Sequence, residues 1–247
     1  MKWKQTEFIH RFHARTAWDQ ELFYSNMYPP NMTVDWLDTD TPKNAKSDSN
    51  IHSSFNEYGF RSESFNNRQD INILTNGCSL TVGIGVKQEN TWPYVLKELI
   101  SNHLNKSVSV WNIALSGSSP DYVVRSTYKI IKPLEPHWAF IYWPPISRFE
   151  GPDPGYPYKL WQSLLGDDTF HKDFVNDEYL QAQFKKNIIF IDRLIDRRLF
   201  MNDIETSVRD NKIEIDKLAR DGQHPGESWH RQVAYMFFGK FKERNDK

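Results

Sequence analysis

The chain has 247 residues, enough for one large α/β domain with a buried core. Lysine and arginine total 31 against 32 aspartates and glutamates, which gives a net charge of -1. Such a chain has no net positive charge to attract a polyanion, so we expect no nucleic-acid partner. A single cysteine excludes an internal disulfide, and no apolar run reaches the length of a signal peptide or membrane span, so we expect a cytoplasmic protein without membrane contact.

Residues 1–68 are rich in aromatic side chains but have no sustained helical or strand period. The polar stretch "DTDTPKNAKSDSN" at 38–50 is typical of a loop. We therefore predict that residues 1–68 form an aromatic-rich arm packed on a core domain at 69–247.

The core domain begins with alternating strand and helix patterns. "INIL" (71–74), "VSVWNIA" (108–114) and "HWAFIYW" (137–143) are apolar runs of strand length, and the first two are followed by glycine-containing turns and helical patterns. Strands that alternate with helices favour a parallel sheet covered on both faces, the α/β class.

The second half continues with an amphipathic helix and a terminal helix. Apolar residues recur every three or four positions at Leu180, Phe184, Ile188, Ile191 and Ile195. "RLFMNDI" and "NKIEID" are candidate strands, and "ESWHRQVAYMFFGKFKER" is the predicted last helix.

A long insertion separates the third strand from the amphipathic helix. Residues 149–175 are rich in proline and glycine and too long for a simple connection. Tyr156, Tyr158 and Trp161 are candidate substrate contacts, because flat rings suit a sugar or an acyl chain; pinning the loop to the body is the alternative.

The turn "NGCSLTVGIG" (76–85) follows the first predicted core strand, where ligands of doubly wound sheets bind. A phosphate-binding loop would need Lys and Ser or Thr after its last glycine, and a dinucleotide fingerprint would need another glycine spacing. A nucleophile at Ser79 remains, although Thr81 stands where an α/β-hydrolase elbow has glycine. The alternative is that Ser79 only caps a helix. We expect Cys78 to be a structural residue in either case.

A serine nucleophile needs a base, and "DGQHPG" (221–226) supplies a candidate pair. Asp221 is three residues from His224 in a loop before the last helix, so its carboxylate can orient the imidazole. Adding His230 gives no convincing tetrahedral set, so we expect no metal. We expect no cofactor either, and we expect His230 to be a packing or a solvated helix histidine rather than a second base.

Three motifs in order resemble the SGNH (GDSL-type) hydrolase family. "GCSLTVG" is similar to its first block, "NIALSGSS" to its second and "DGQHPG" to its fifth; "FNEYGFRSESF" (55–65) resembles a stretch that precedes the first strand in one branch. The resemblance implies a flavodoxin-like three-layer α/β/α sandwich, with Ser79 as nucleophile, His224 as base and Asp221 as its partner. It also implies an oxyanion hole made of the N–H groups of Ser79 and Gly117 and a block-three asparagine.

The third block departs from the family pattern, because no asparagine lies between His137 and Asn176. Losing an oxyanion donor costs on the order of 100- to 1,000-fold in rate. Arg148 or Ser147 could replace it, since both side chains donate hydrogen bonds.

These features predict a serine esterase acting on a small acyl ester, with acetyl groups on carbohydrate as the class implied by the resemblance. Acyl transfer by the same triad and a non-catalytic binding protein are the alternatives.

Overall fold

The computed structural model describes residues 33–35, 52–153, 156–161, 177–195, 198–211, 213–219 and 222–245. Two short strands, β1 (Thr33–Asp35) and β2 (His52–Ser54), form an antiparallel pair. The elements that follow them are β3 (Ile71–Gly77), α1 (Ser79–Val82), α2 (Trp92–Leu104), β4 (Val108–Asn112), α3 (Pro120–Leu134), β5 (Trp138–Trp143), β6 (Phe149–Asp153), β7 (Tyr156–Trp161), α4 (Asp177–Ile195), β8 (Leu199–Asp203), α5 (Ile204–Asn211) and α6 (Glu227–Asn245).

Within the described residues, the central sheet has four parallel strands in the order β4-β3-β5-β8. Strand β3 lies inside the sheet, and all seven of its residues are buried. The chain moves from β3 to β4 on one side and then to β5 on the other. This reversal is the doubly wound pattern, whose ligand site lies at the carboxyl ends of the strands beside the switch point.

Two hydrophobic layers cover the sheet. Ile73, Phe140 and Tyr142 belong to a cluster with buried residues of α2 and α6, whereas Leu74 and Ile141 belong to another with α3 and α4. Because successive side chains of a strand point to opposite faces, every core strand contributes to both layers. The predicted α/β/α sandwich with a parallel, flavodoxin-like sheet is confirmed.

The capping residues explain where two helices begin and end. Helix α3 begins after Ser119, whose side chain accepts a hydrogen bond from Tyr122 N, and it has Pro120 in its first turn. Helix α2 begins after Thr91 and ends at Asn105, which adopts the left-handed conformation.

Three regions extend or correct the sequence predictions. Phe60 and Phe65, from the predicted arm, are buried in the core cluster on the α3/α4 side. The predicted loop insertion at 149–175 begins with an antiparallel pair of strands, β6 and β7, and its residues 154–155 and 162–175 lie outside the described residues. "RLFMNDI" contains strand β8 as predicted, but the prediction of a strand at "NKIEID" is wrong. Residues 213–216 there lie in irregular structure.

In the parts of the chain described here, no helix combines the length and the apolar character needed to cross a bilayer.

Candidate active site

Ser79 is the first residue of α1, directly after the central strand. Cys78 occupies the N-cap position without a side-chain capping bond, and its side chain is buried. Among the described residues, neither the Ser79 hydroxyl nor its backbone N–H has a hydrogen-bond partner. Both groups are thus uncommitted at the carboxyl edge of the sheet, as a nucleophile that also contributes an oxyanion donor requires.

The end of β3 is held rigidly by Asn76. Its amide nitrogen donates to Val123 O at 3.2 Å and to the hydroxyls of Ser126 and Thr127, both at 2.9 Å. Its amide oxygen accepts from Gly77 N at 2.8 Å. This buried side chain therefore fastens the backbone before Ser79 to helix α3.

The Gly117 turn lies against the same backbone. Gly77 O accepts hydrogen bonds from Leu115 N at 3.2 Å and from Ser118 Oγ at 2.9 Å. Gly117 has a φ of 75°, a left-handed conformation that glycine adopts without strain. Its N–H has no acceptor among the described residues, so it is available to a ligand beside Ser79.

Asn112 connects the two turns. Its amide nitrogen donates to Thr81 O at 3.0 Å, and its amide oxygen accepts from Ala114 N at 3.1 Å. One side chain at the end of β4 thereby sets the position of α1 relative to the Gly117 turn.

Arg61 supports α1 from the opposite end. Its guanidinium is buried and donates to the carbonyl oxygens of Val82 at 3.0 Å, Val86 at 2.7 Å and Gly83. Burial lowers the pKa of Arg61 to about 10, while Tyr94 and Glu89 act in the opposite direction, so the group stays charged at neutral pH. A cation at the C-terminal end of a helix also complements the helix dipole.

His224 lies in a compact turn before α6. Ala219 N donates to His224 O at 2.6 Å, Gly226 N donates to Lys217 O at 2.8 Å, and Leu218 and Pro225 form an isolated bridge. The imidazole is half-buried. These backbone bonds fix the turn as helix α6 begins.

Contacts of α6 bring this turn to the Ser79 edge of the sheet. The Trp229 ring packs edge-on against Tyr142 at 5.4 Å, and Tyr142 pairs with Gly77 between β5 and β3. Helix α6, which begins three residues after His224, thus packs beside the strand end that precedes Ser79. No hydrogen bond joins Ser79 to His224 here, so proton transfer between them requires side-chain adjustment, as is common in unliganded sites.

Asp221, the predicted partner of His224, lies outside the described residues. Tyr156, Tyr158 and Trp161 lie on β7, but their side chains are outside the described part of the structure. Within that part, no three His, Cys, Asp or Glu residues group as metal ligands would.

Arg148 lies next to the Gly117 turn. Its guanidinium is half-buried, and Nη1 is 3.5 Å from Ser118 O, one residue past Gly117. The predicted replacement for the block-three asparagine therefore lies near the second oxyanion donor.

His230 is a core residue of α6. Its Nδ1 accepts a hydrogen bond from Trp92 N at 3.2 Å, which places the proton of the neutral ring on Nε2. Burial, with smaller contributions from the neighbouring Arg61 and His224, lowers the pKa of His230 to about 3. Of the two roles predicted for His230, packing and a solvated helix position, the structure agrees with packing.

This depressed pKa predicts acid sensitivity. The unfolded chain takes up a proton at His230 near pH 6.5 and the folded chain only near pH 3, so the stability that this neutral ring contributes is complete above pH 6.5 and is lost as the pH falls. We expect the free energy of unfolding of the wild type to fall more steeply than that of His230→Gln, with a slope difference approaching about 1.4 kcal/mol per pH unit. Urea unfolding of both proteins between pH 7 and pH 4 measures it, and parallel curves would contradict the assignment.

No sequence pattern predicted a role for Asn76 or Arg61. Asn76 is detectable as an amide at the carboxyl end of a buried strand, next to the glycine of the turn. Arg61 gives no such signal, because its acceptors are backbone carbonyls 21 to 25 positions away.

Comparisons with known proteins return similarity in structure only. No protein-family model and no curated protein matches the chain. Three similar solved structures are TesA (12% identity, TM-score 0.47, covering 70% of this chain and 99% of that chain), a family 3 carbohydrate esterase of Clostridium thermocellum (12%, 0.45, 71% and 98%) and the psychrotrophic esterase EstA from a Pseudoalteromonas species (16%, 0.41, 70% and 100%). At these identities they assign no residue role to this chain.

Proposed function

We propose that the protein is a serine esterase that hydrolyses small acyl esters through Ser79, His224 and Asp221. The observation that carries this proposal is the uncommitted hydroxyl and N–H of Ser79 at the carboxyl end of the central strand, beside the uncommitted N–H of Gly117. The three sequence blocks that resemble SGNH hydrolases support the same roles.

The reaction proceeds in two stages. Ser79 Oγ attacks the ester carbonyl carbon while the His224 imidazole takes the hydroxyl proton. The oxyanion that forms accepts hydrogen bonds from the N–H groups of Ser79 and Gly117, with the Arg148 guanidinium as a third donor. As the tetrahedral intermediate collapses, the imidazolium returns the proton to the departing alcohol and an acyl-enzyme remains.

Water completes the cycle. His224 takes a proton from the water as its oxygen attacks the acyl carbonyl, and the same proton returns to Ser79 Oγ when the acid leaves. Asp221 holds the imidazole in the required tautomer and stabilises the imidazolium. The resemblance supports acetyl esters of carbohydrates as the substrate class.

An active-site-directed fluorophosphonate tests the proposal. The reagent phosphonylates a serine only when a neighbouring base activates it, so we expect labelling of the wild type and none of Ser79→Ala.

The missing block-three asparagine favours one competing function, a non-catalytic binding protein with the same fold. Absence of labelling of the folded wild type between pH 6 and pH 9 would overturn the esterase proposal in favour of that function. If labelling occurs, product analysis with added sugar acceptors distinguishes hydrolysis from acyl transfer.

A further inference from the structure

A cavity of about 270 Å³ opens beside the proposed site. It lies between the N-terminal end of α3, the segment after β5 and the first half of α4. The residues that line it are Pro120, Asp121, Ile146, Arg148, Tyr179, Leu180, Gln183, Phe184, Lys186 and Asn187.

The cavity adjoins the proposed oxyanion hole. Pro120 and Asp121 in its wall follow Gly117 by three and four positions, and Arg148 both lines it and approaches Ser118 O. A group bound in the cavity is therefore within reach of an ester held at Ser79. At about 270 Å³ it is smaller than the roughly 300–1,000 Å³ of drug-sized sites, which fits one ring.

The lining excludes a long acyl chain. Five of the lining residues contribute polar groups: Asp121, Arg148, Gln183, Lys186 and Asn187. Covering these groups with hydrocarbon would remove their water without replacing the hydrogen bonds that the water provides. Tyr179 and Phe184 supply apolar faces beside these groups, a combination that suits a polar ring. The cavity therefore fits the alcohol part of the ester better than the acyl part.

The charges of the cavity favour an anion. The Asp121 carboxylate already accepts a hydrogen bond from Asn187 Nδ2 at 3.0 Å, and Asn187 is buried. Among the described residues, by contrast, neither Arg148 nor Lys186 forms an ion pair, and the Lys186 ammonium donates a hydrogen bond to the neutral Gln183. The positive end of the 15-residue helix α3 lies at the same wall. The side chains of Arg148 and Lys186 carry two positive charges, and the Asp121 carboxylate, already hydrogen-bonded to Asn187, carries one negative charge. The lining therefore has an excess of positive charge.

We propose that this cavity binds a negatively charged, sugar-sized group, which is the alcohol part of the ester substrate. The assignment to the ester substrate rests on the proposed function. The shared chemistry is one ring bearing an anion, either the carboxylate of a sugar acid or a phosphate. Arg148 suits such groups because its planar fork matches carboxylate and phosphate oxygens.

The test measures binding without turnover, in the Ser79→Ala protein. Isothermal titration at low salt compares methyl glucuronide, glucose 6-phosphate, inorganic phosphate and methyl glucoside. We expect at least one charged sugar to bind about fivefold or more tightly than the neutral glucoside, and the tighter of the two identifies the anion. Equal binding of the glucoside would overturn the charge preference, and equal binding of inorganic phosphate would overturn the need for a ring.

Lys186 and Lys185 provide matched variants, because both are exposed on α4 and only Lys186 lines the cavity. Lys186→Gln should weaken binding of the charged sugar about threefold to fivefold, while Lys185→Gln should leave it unchanged. Equal losses in both would indicate a general surface-charge effect and contradict the site. If a charged sugar binds but fluorophosphonate does not label the wild type, the anion-binding proposal stands and the esterase proposal is refuted. If labelling occurs but no charged sugar binds preferentially, the esterase proposal stands and the anion-binding proposal is refuted.

Discussion

Replacing Ser79 by alanine is expected to lower kcat/KM for a small acyl ester by about 10⁴-fold or more, because the variant has no oxygen to attack the carbonyl. The rate enhancement that remains in Ser79→Ala is expected to come from the oxyanion donors and from substrate binding alone. Stability should change little, since the hydroxyl holds no other group among the described residues. Release of 4-nitrophenol from 4-nitrophenyl acetate measures the rate, and thermal unfolding checks the fold.

The neighbouring cysteine provides the control for this substitution. The Cys78 side chain is buried with 2% of its surface exposed, so it faces the core rather than the substrate. Cys78→Ala should keep activity within about tenfold of the wild type and lose about 1 kcal/mol of stability through the small cavity. Activity that survives in Ser79→Ala but disappears in Cys78→Ala would assign the chemistry to the thiol.

Replacing Gly77 by alanine is expected to have the largest effect on stability. An added Cβ would lie 2.5 Å from Tyr142 O and 2.3 Å from Thr81 Oγ1, and the φ of 156° is one that other residues rarely adopt. Because the contact with Tyr142 is to backbone inside the sheet, it cannot be relieved by a rotamer change. We expect a loss of about 3 kcal/mol or more in the free energy of unfolding, measured in urea, with loss of esterase activity.

Gly239→Ala is the matched control for this change. Gly239 lies in helix α6, and an added Cβ there meets nothing within 4 Å. Alanine favours a helix interior over glycine by about 1 kcal/mol, so this variant should be as stable as the wild type or slightly more so. If Gly77→Ala unfolds at the same urea concentration as Gly239→Ala, the steric account of the turn is wrong.

The hydrophobic periodicity of the sequence and the positions of its glycine-containing turns were enough to predict the layers of this fold. "INIL" is the first part of strand β3, "VSVWNIA" and "HWAFIYW" contain strands β4 and β5, and the amphipathic pattern from Leu180 to Ile195 lies in α4. These patterns succeed because burial on both faces of a sheet, or on one face of a helix, selects residue types at fixed spacing. "NKIEID" misled because alternation over six residues satisfies a strand pattern, whereas its first residue ends α5 and its described residues 213–216 pair with no described strand.

The candidate site was predictable only in part, for a physical reason. Ser79 and Gly117 follow strands that lie side by side, so strand order alone brings their turns together. Arg61 and Asn76 act through hydrogen bonds to backbone or helix atoms far along the chain, and such pairings have no spacing rule. The cavity also depends on tertiary structure, since its first lining residues on α3 and α4, Pro120 and Tyr179, are 59 positions apart in the sequence.

The clamp that Arg61 forms on α1 determines where the folding unit begins. The boundary at residue 69 would separate this guanidinium from the carbonyl oxygens of Val82 and Val86 and would remove the Phe60 and Phe65 rings from the core. A truncated protein that starts at the first core strand would keep every proposed catalytic group yet lose what holds the nucleophile in place. Fragments meant to isolate the sheet domain should therefore start before Phe55.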